Sequence, residues 1–423
     1  MARAIVIVLD GLRRDLVTPQ TMPNLSRFAA SARRFEAHRS AFPSATRVVS
    51  AAFATGCRPG RNGLQGNTVA LPQDGRLVRY DVGKPDFFAA KRALTGATLA
   101  MPTMAERLAD RGGVVVFNNV SPGAAYAHDP DGHGTVYHRA GSRGPGLASV
   151  SRPLDIAIGI EGDRAMAERF ASEAVEGSPA LAVLWLSEPD TTQHAVPLGS
   201  PQHLAVLAEA DAIAGRVIDA VEALADDILL IVGSDHGHQS VSEVVDIEAF
   251  LVGEGLMTAG GGDVVVAANG TAALIYVTPE AADRIPTMEA AIVAAPWSGA
   301  VFAGERLAEV GHNPTGGLAI AVAMASTDEP NEYGVPGASA AVKPAEGKPD
   351  RLGCGQHGGL GHHEQSPVLM VRGRAHPAGT VSREPTSIVD LAPTILAHLG
   401  VPHEGLDGRD LHAIPESNGD QSS

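Results

Sequence analysis

Four short segments of this 423-residue chain place carboxylates or imidazoles beside apolar runs. Ala4 to Leu9 ends in Asp10-Gly11, and Leu181 to Leu186 is followed by Ser187-Glu188-Pro189-Asp190 and then His194. Ile228 to Val232 ends in Gly233-Ser234-Asp235-His236-Gly237, and Gln356-His357-Gly358-Gly359 precedes the run Pro367 to Val371. Carboxylates and neutral imidazoles are the donors that divalent metals take. Asp190 and His194, four residues apart, can converge on one ion if their segment begins to wind into a helix. Adjacent Asp235 and His236 at a strand terminus are costly to bury unless paired or metallated. Singly, each segment has a plainer reading: Asp10 and Asp190 could cap helices, and His194 could be a surface residue. His357 has local rivals in His362 and His363.

The elements that must hold these residues read as strands alternating with helices. Further apolar runs occur at Val114 to Phe117, Val264 to Ala267, Leu274 to Val277 and Leu318 to Ala323. Leu204, Leu207, Ala210, Ala214, Val217, Val221 and Leu224 give a helical spacing with charges on the other face. The alternation predicts an α/β fold with a largely parallel sheet, and such sheets place ligands outside the carboxyl ends of their strands. Residues 1–239 and 351–415 form the expected core. Residues 240–350 read as an inserted cap whose last part, Glu329 to Pro349, is rich in Pro and Gly and is expected to be a long loop. Residues 119–153 also read as loop, with His128, His133 and His138 solvated, and the polar tail 416–423 is expected to be disordered.

Hydrophobic residues make up 44% of the chain and charged residues 19%, the balance of a soluble globular protein, and the net charge of −16 argues against nucleic-acid polymers and anionic membranes as partners. The apolar stretch after Met1-Ala2-Arg3 is too short for a signal h-region or a membrane span. Two cysteines, Cys57 and Cys354, cannot form a disulfide framework, so a cytoplasmic location is expected. Sixteen histidines in an acidic chain are the unusual part of the composition.

Taken in order, the motifs resemble those of the alkaline phosphatase superfamily, and specifically its type I phosphodiesterase/nucleotide pyrophosphatase branch. The similar segments are Ile7-Val8-Leu9-Asp10-Gly11, Phe42-Pro43-Ser44-Ala45-Thr46, Ala54-Thr55-Gly56 with Gly63-Leu64-Gln65-Gly66-Asn67, Glu188-Pro189-Asp190 to His194, Ser234-Asp235-His236-Gly237, and His357-Gly358-Gly359. The resemblance implies an alkaline-phosphatase-like three-layer sandwich with two divalent ions, zinc by its mixed His and Asp shell or else manganese. Asp190, His194 and His357 would hold one ion; Asp10, Asp235, His236 and the Thr46 oxygen would hold the other. Thr46 would then attack phosphorus in line to give a phosphothreonine, and Asn67 would donate to a phosphate oxygen.

Cys57-Arg58-Pro59-Gly60-Arg61 fits the Cys-x-Pro-x-Arg pattern that sulfatases convert to formylglycine, but Thr46 occupies the nucleophile register and Cys57 falls downstream. Arg47 stands where nucleotide pyrophosphatases carry an aromatic residue for the base, which suits a second anionic group better. Trp297 is a candidate for lining the substrate entrance. The reading is a hydrolase of a small phosphodiester or pyrophosphate. Alternatives are a phosphonoacetate hydrolase-like enzyme that cleaves a carbon to phosphorus bond, a phosphomonoesterase, or an inactive metal-binding protein.

Overall fold

The computed structural model describes residues 2–224 and 227–415, so the expected disordered tail lies outside the described residues. An eight-stranded sheet forms its centre, in spatial order Val381–Ser382, Arg33–Phe35, Leu369–Arg372, Asp227–Gly233, Ala2–Leu9, Leu181–Leu186, Val114–Asn118 and Thr135–Tyr137. Only Leu369–Arg372 runs antiparallel to its neighbours. The first strand is central, flanked by Leu181–Leu186 and Asp227–Gly233, with Leu9 opposite Leu186 and Val8 opposite Gly233. That register brings three carboxyl ends level, which is where a parallel sheet leaves room for a ligand.

Alternation along the first strand builds two cores. Ala4, Val6 and Val8 face one cluster, which includes residues of the helices Thr46–Thr55 and Leu391–His398. Ile5, Ile7 and Leu9 face the other, which includes residues of Pro23–Ser31, Ile160–Phe170 and Pro201–Glu222. A strand buried on both faces reads as a continuous apolar run, which explains its legibility. In the long helix Leu207, Ala210, Ala214, Val217 and Val221 are buried as their spacing predicts, but Leu204 is 41% exposed in the first turn.

Three of the apolar runs belong elsewhere. Val264–Ala268, Ala272–Val277 and Leu318–Met324 join Ser298–Ala303 in a separate antiparallel sheet with its own core. The Pro- and Gly-rich stretch expected to be a loop contains strands: Ser326–Pro330 pairs with Pro336–Val342, which runs parallel to Gln239–Val245. Its pairing partner lies about a hundred residues away, so its composition carries no local strand signal. The stretch 119–153 likewise contains the helix Pro122–Ala127 and the strand Thr135–Tyr137. His133 is exposed as expected, but His128 and His138 are buried. His128 packs edge-on against Phe53 and Trp185, with ring centroids 5.5 and 5.4 Å away, and burial drives its pKa down to about 3.

Candidate active site

Asp10 leaves the first strand fully buried, and the chain turns at Gly11, whose φ of +71° is left-handed. A Cβ there would stand 2.7 Å from His238 Nε2 and 3.0 Å from the Asp190 Cβ, so glycine is required for the two strand ends to approach. The Gly11 N–H donates to Asp235 Oδ1 at 3.0 Å, tying the first strand end to the third. Trp185 Nε1 donates to Asp10 Oδ2 at 2.7 Å. Asp190 begins a short helix, Asp190–Gln193, and the turn sets His194 Nε2 3.3 Å from Asp190 Oδ1, the convergence their spacing predicts.

Thr46 opens the buried helix Thr46–Thr55 and is itself 8% exposed. Its Oγ1 lies 3.1 Å from His236 Nε2 and 3.5 Å from Asp10 Oδ1. The Asn67 Oδ1 accepts from the Arg47 N–H at 3.1 Å, which leaves the amide group of Asn67 as its donor end at the cavity wall. Arg47 directs Nε to Ser121 Oγ at 2.9 Å and Nη1 to the Asn67 carbonyl at 3.2 Å and to Asp81 at 3.2 Å.

The imidazoles share one arrangement. Nδ1 of His194 faces the Gly355 carbonyl at 2.9 Å, Nδ1 of His236 the Gly237 carbonyl at 3.1 Å, and Nδ1 of His357 the Ser44 carbonyl at 2.7 Å. A carbonyl only accepts, so each Nδ1 carries the proton and each Nε2 presents a lone pair. Those lone pairs turn toward the carboxylates. His357 Nε2 is 3.5 Å from Asp190 Oδ1, and His236 Nε2 is 3.1 Å from Asp235 Oδ2 without hydrogen-bonding alignment, so that buried oxygen has no hydrogen-bond partner among the described residues. Unaligned acceptors converging in a buried space make a candidate donor set for a cation, with the opposite ring nitrogen fixed by the backbone. Ligand atoms of Asp190, His236, His238 and His357 lie within 4.8 Å of one another, as do those of Asp10, Asp235 and His236.

The electrostatics match this crowding. Burial, then the charges of Asp235 and Asp190, raise the Asp10 carboxyl well above its ordinary range. Burial alone would raise Asp190 too, but His194, His238 and His357 outweigh it and hold that carboxyl well below its ordinary value. Burial lowers His194 to about 3 and, with His236 beside it, drives His357 well down. His236 rises against burial because Asp235 and Asp190 face it.

Two functional neighbours had little signal in the sequence. His238 is fully buried with Nε2 2.8 Å from Asp190 Oδ1, and its Nδ1 has no hydrogen-bond partner among the described residues. The only hint was a histidine two positions beyond His236. Trp185 is an apolar strand residue by pattern, and nothing local marks its N–H as the partner of Asp10. The rivals of His357 lie elsewhere: His363 meets Arg13, Asp15 and Asp328, and His362 is exposed. The His357 backbone itself is fixed by the glycines that follow it. Gly358 has φ +132°, and a Cβ there would come within 1.8 Å of the Asn269 carbonyl oxygen. Glu364, raised to about 6 by burial, accepts from the N–H groups of Gly359 and Gly361 at 2.9 and 3.0 Å. Cys57 follows the far end of the helix that Thr46 begins, about 15 Å away at the rise of an α-helix, and is buried outside the cavity.

The site opens into a cavity of about 790 Å³. Thr46, Arg47, Asn67, Asp190, His194 and His357 line it on the sheet side, and among the described residues no Phe, Tyr or Trp lines it. Trp297 is not in its wall; it meets Phe250 edge-on, with ring centroids 5.3 Å apart.

A sequence model of the family described as type I phosphodiesterase / nucleotide pyrophosphatase matches residues 4–335. No curated protein matches the chain. Among solved structures, an inactive variant of murine ectonucleotide pyrophosphatase / phosphodiesterase 5 in complex with AMP superposes with a TM-score of 0.67 at 18% identity, over 96% of this chain and 97% of that one. Phosphonoacetate hydrolase from Sinorhizobium meliloti 1021, in complex with phosphonoformate, gives 0.68 at 16% identity over 95% of each chain. At these identities the structural likeness speaks for the fold, an alkaline-phosphatase-like α/β architecture with a mostly parallel central sheet.

Proposed function

Because the chain belongs to the type I phosphodiesterase / nucleotide pyrophosphatase family, we propose that it is a two-metal hydrolase of a small phosphodiester or pyrophosphate, with Thr46 as nucleophile. The observation that carries this reading is the convergence of three Nε2 lone pairs and three carboxylates beside Thr46 Oγ1. The donors fit divalent metal: Asp190, His194 and His357 would hold one ion, and Asp10, Asp235, His236 and the Thr46 oxygen the other. Two bound ions supply a lowered nucleophile pKa and stabilisation of charge on the attacking and leaving oxygens. The mixed imidazole and carboxylate shell favours zinc.

The chain's own groups account for the rest. Thr46 attacks phosphorus from the start of its helix, where the positive end of the helix dipole favours an anion. The bond from phosphorus to the leaving oxygen breaks, and a phosphothreonine remains for hydrolysis. Asn67, its Oδ1 already committed to the Arg47 N–H, offers its amide hydrogens to a non-bridging oxygen. His238 holds Asp190 in position through Nε2. Residues 240–350 act in this reading as the cap over the core 1–239 and 351–415, and the free thiols Cys57 and Cys354 support a cytoplasmic setting. Among the described residues no helix is long and apolar enough to cross a membrane.

The aromatic-free cavity wall favours a second reading, a phosphonate hydrolase acting on a small substrate with no base to stack. Rates on bis-p-nitrophenyl phosphate, p-nitrophenyl phosphate, the nitrophenyl ester of thymidine monophosphate and phosphonoacetate, with and without chelator, separate the readings. Chelator-sensitive preference for the diesters supports the first; preference for phosphonoacetate supports the second. Chelator-insensitive turnover contradicts both.

A further inference from the structure

The cavity is ringed by cations, and nearly all of them are already matched. Arg79 pairs with Glu248 at 2.7 Å, Lys343 with Asp246 at 2.9 Å, and Lys348 and Arg47 both with Asp81, at 3.1 and 3.2 Å. Arg139 donates to the carbonyls of Asn119 and Val120, each at 2.6 Å. Arg351 is the exception. It lines the same cavity, yet among the described residues its guanidinium makes no hydrogen bond and no ion pair. A partly buried guanidinium with five unanswered donors is costly unless something else answers them.

Its backbone adds a second observation. Arg351 has φ +59°, a left-handed conformation that a residue with a Cβ adopts only under strain. The turn is pinned there: the Cys354 N–H donates to the Arg351 carbonyl at 2.9 Å, and the Gly353 N–H to the Val241 carbonyl at 2.9 Å. The segment then runs as Gly355–Gln356 along the strand Gln239–Val245 and delivers His357. Arg351 and His357 therefore share one short tether. Arg351 lies within electrostatic reach of Asp190, His194 and His238, whereas Arg47 adjoins Thr46 and Asn67.

We propose that Arg351 is the recognition residue for a second anionic group, a carboxylate or a phosphoryl group, on a substrate whose reacting phosphorus lies at Thr46. The inference rests on the hydrolase reading only for the position of that phosphorus. A planar guanidinium binds either anion with two parallel hydrogen bonds, and among the described residues Arg351 is the one cation in the cavity wall whose donors no protein group occupies. Arg47, the candidate that the sequence offers for this task, has Nε and Nη1 committed to Ser121, Asn67 and Asp81.

Calorimetric binding to the metal-loaded protein tests this with three probes: methylphosphonate, which has one anionic group, phosphonoacetate, which adds a carboxylate, and methylenediphosphonate, which adds a phosphonate. The wild type is expected to bind at least one two-anion probe tenfold or more tighter than methylphosphonate; which one identifies the second group. Arg351→Ala and Arg351→Gly, the latter suited to the left-handed backbone, should reduce that ratio below threefold, and Arg351→Lys should restore part of it. A wild type without the preference, a ratio that persists in the variants, or equal losses for all three probes would overturn the proposal. Turnover of bis-p-nitrophenyl phosphate is read in parallel. Preserved discrimination without turnover would refute the hydrolase reading and leave the anion site standing; turnover without discrimination would do the reverse.

Discussion

On the sheet side of the cavity, Asp10, Asp235 and His236 follow the carboxyl ends of adjacent central strands, and three imidazoles are locked by backbone carbonyls. On the opposite side, the wall from residues 246–270 and 341–351 carries Asp246, Glu248, Lys343 and Lys348, paired with each other or with distant segments, beside the unmatched Arg351. The first region is fixed by strand register and turns, the second by contacts between segments as much as 267 residues apart. The proposed chemistry therefore draws on the region whose geometry is rigid, and the proposed selectivity on the one where side chains can be exchanged without disturbing the sheet.

Variants can break this division. The largest effect is expected for Thr46→Ala, which should reduce turnover on the order of a thousandfold or more while the far-UV spectrum and melting temperature stay near wild type. An active Thr46→Ala protein would remove the sheet side from the chemistry. His238→Ala should weaken metal affinity by about 10–100-fold, since it frees the carboxylate that His194 and His357 also face. Competition with a chromophoric chelator measures this, and unchanged affinity would reduce His238 to filler. Arg47→Ala should slow hydrolysis on the order of tenfold for singly and doubly anionic substrates alike, because it releases the Asn67 carbonyl and the Asp81 loop together. A loss confined to doubly anionic substrates would return Arg47 to the selective side.

The smallest effect concerns pH. Asp163 clamps the strand end before Asp190, accepting from the N–H groups of Ser187 and Glu188 at 2.9 Å each, and burial raises it to about 6. Its folded pKa lies above the unfolded value, so the folded state holds the extra proton between about pH 4 and 6. Its contribution to stability is full below that window and is lost as pH rises through 6. The chelated protein should lose roughly 1–3 kcal/mol from this group between pH 4 and 7. Asp163→Asn should flatten that slope in a thermal-unfolding series; an unchanged slope would assign it to other groups.

The same division explains what the sequence made legible. Asp10, Asp190, Asp235 and His236 stand out because a strand buried on both faces reads as an apolar run, and a carboxylate at its end is conspicuous. Thr46 and His357 needed the motif context around them, and the glycine beside His357 turns out to be demanded by the Asn269 carbonyl. Arg351 has no comparable signal, since its significance lies in lacking, among the described residues, a partner where five other cavity cations have one. The burial of His128 and the strand Pro336–Val342 were equally hidden, because both depend on contacts across long stretches of chain.

Elemental analysis of the gently purified protein, with Asp235→Asn beside it, tests the central claim most directly. The account predicts close to two zinc or manganese ions per wild-type chain and close to one in the variant, which keeps Asp190, His194 and His357. A wild-type value near zero, or no difference between the two proteins, would contradict it.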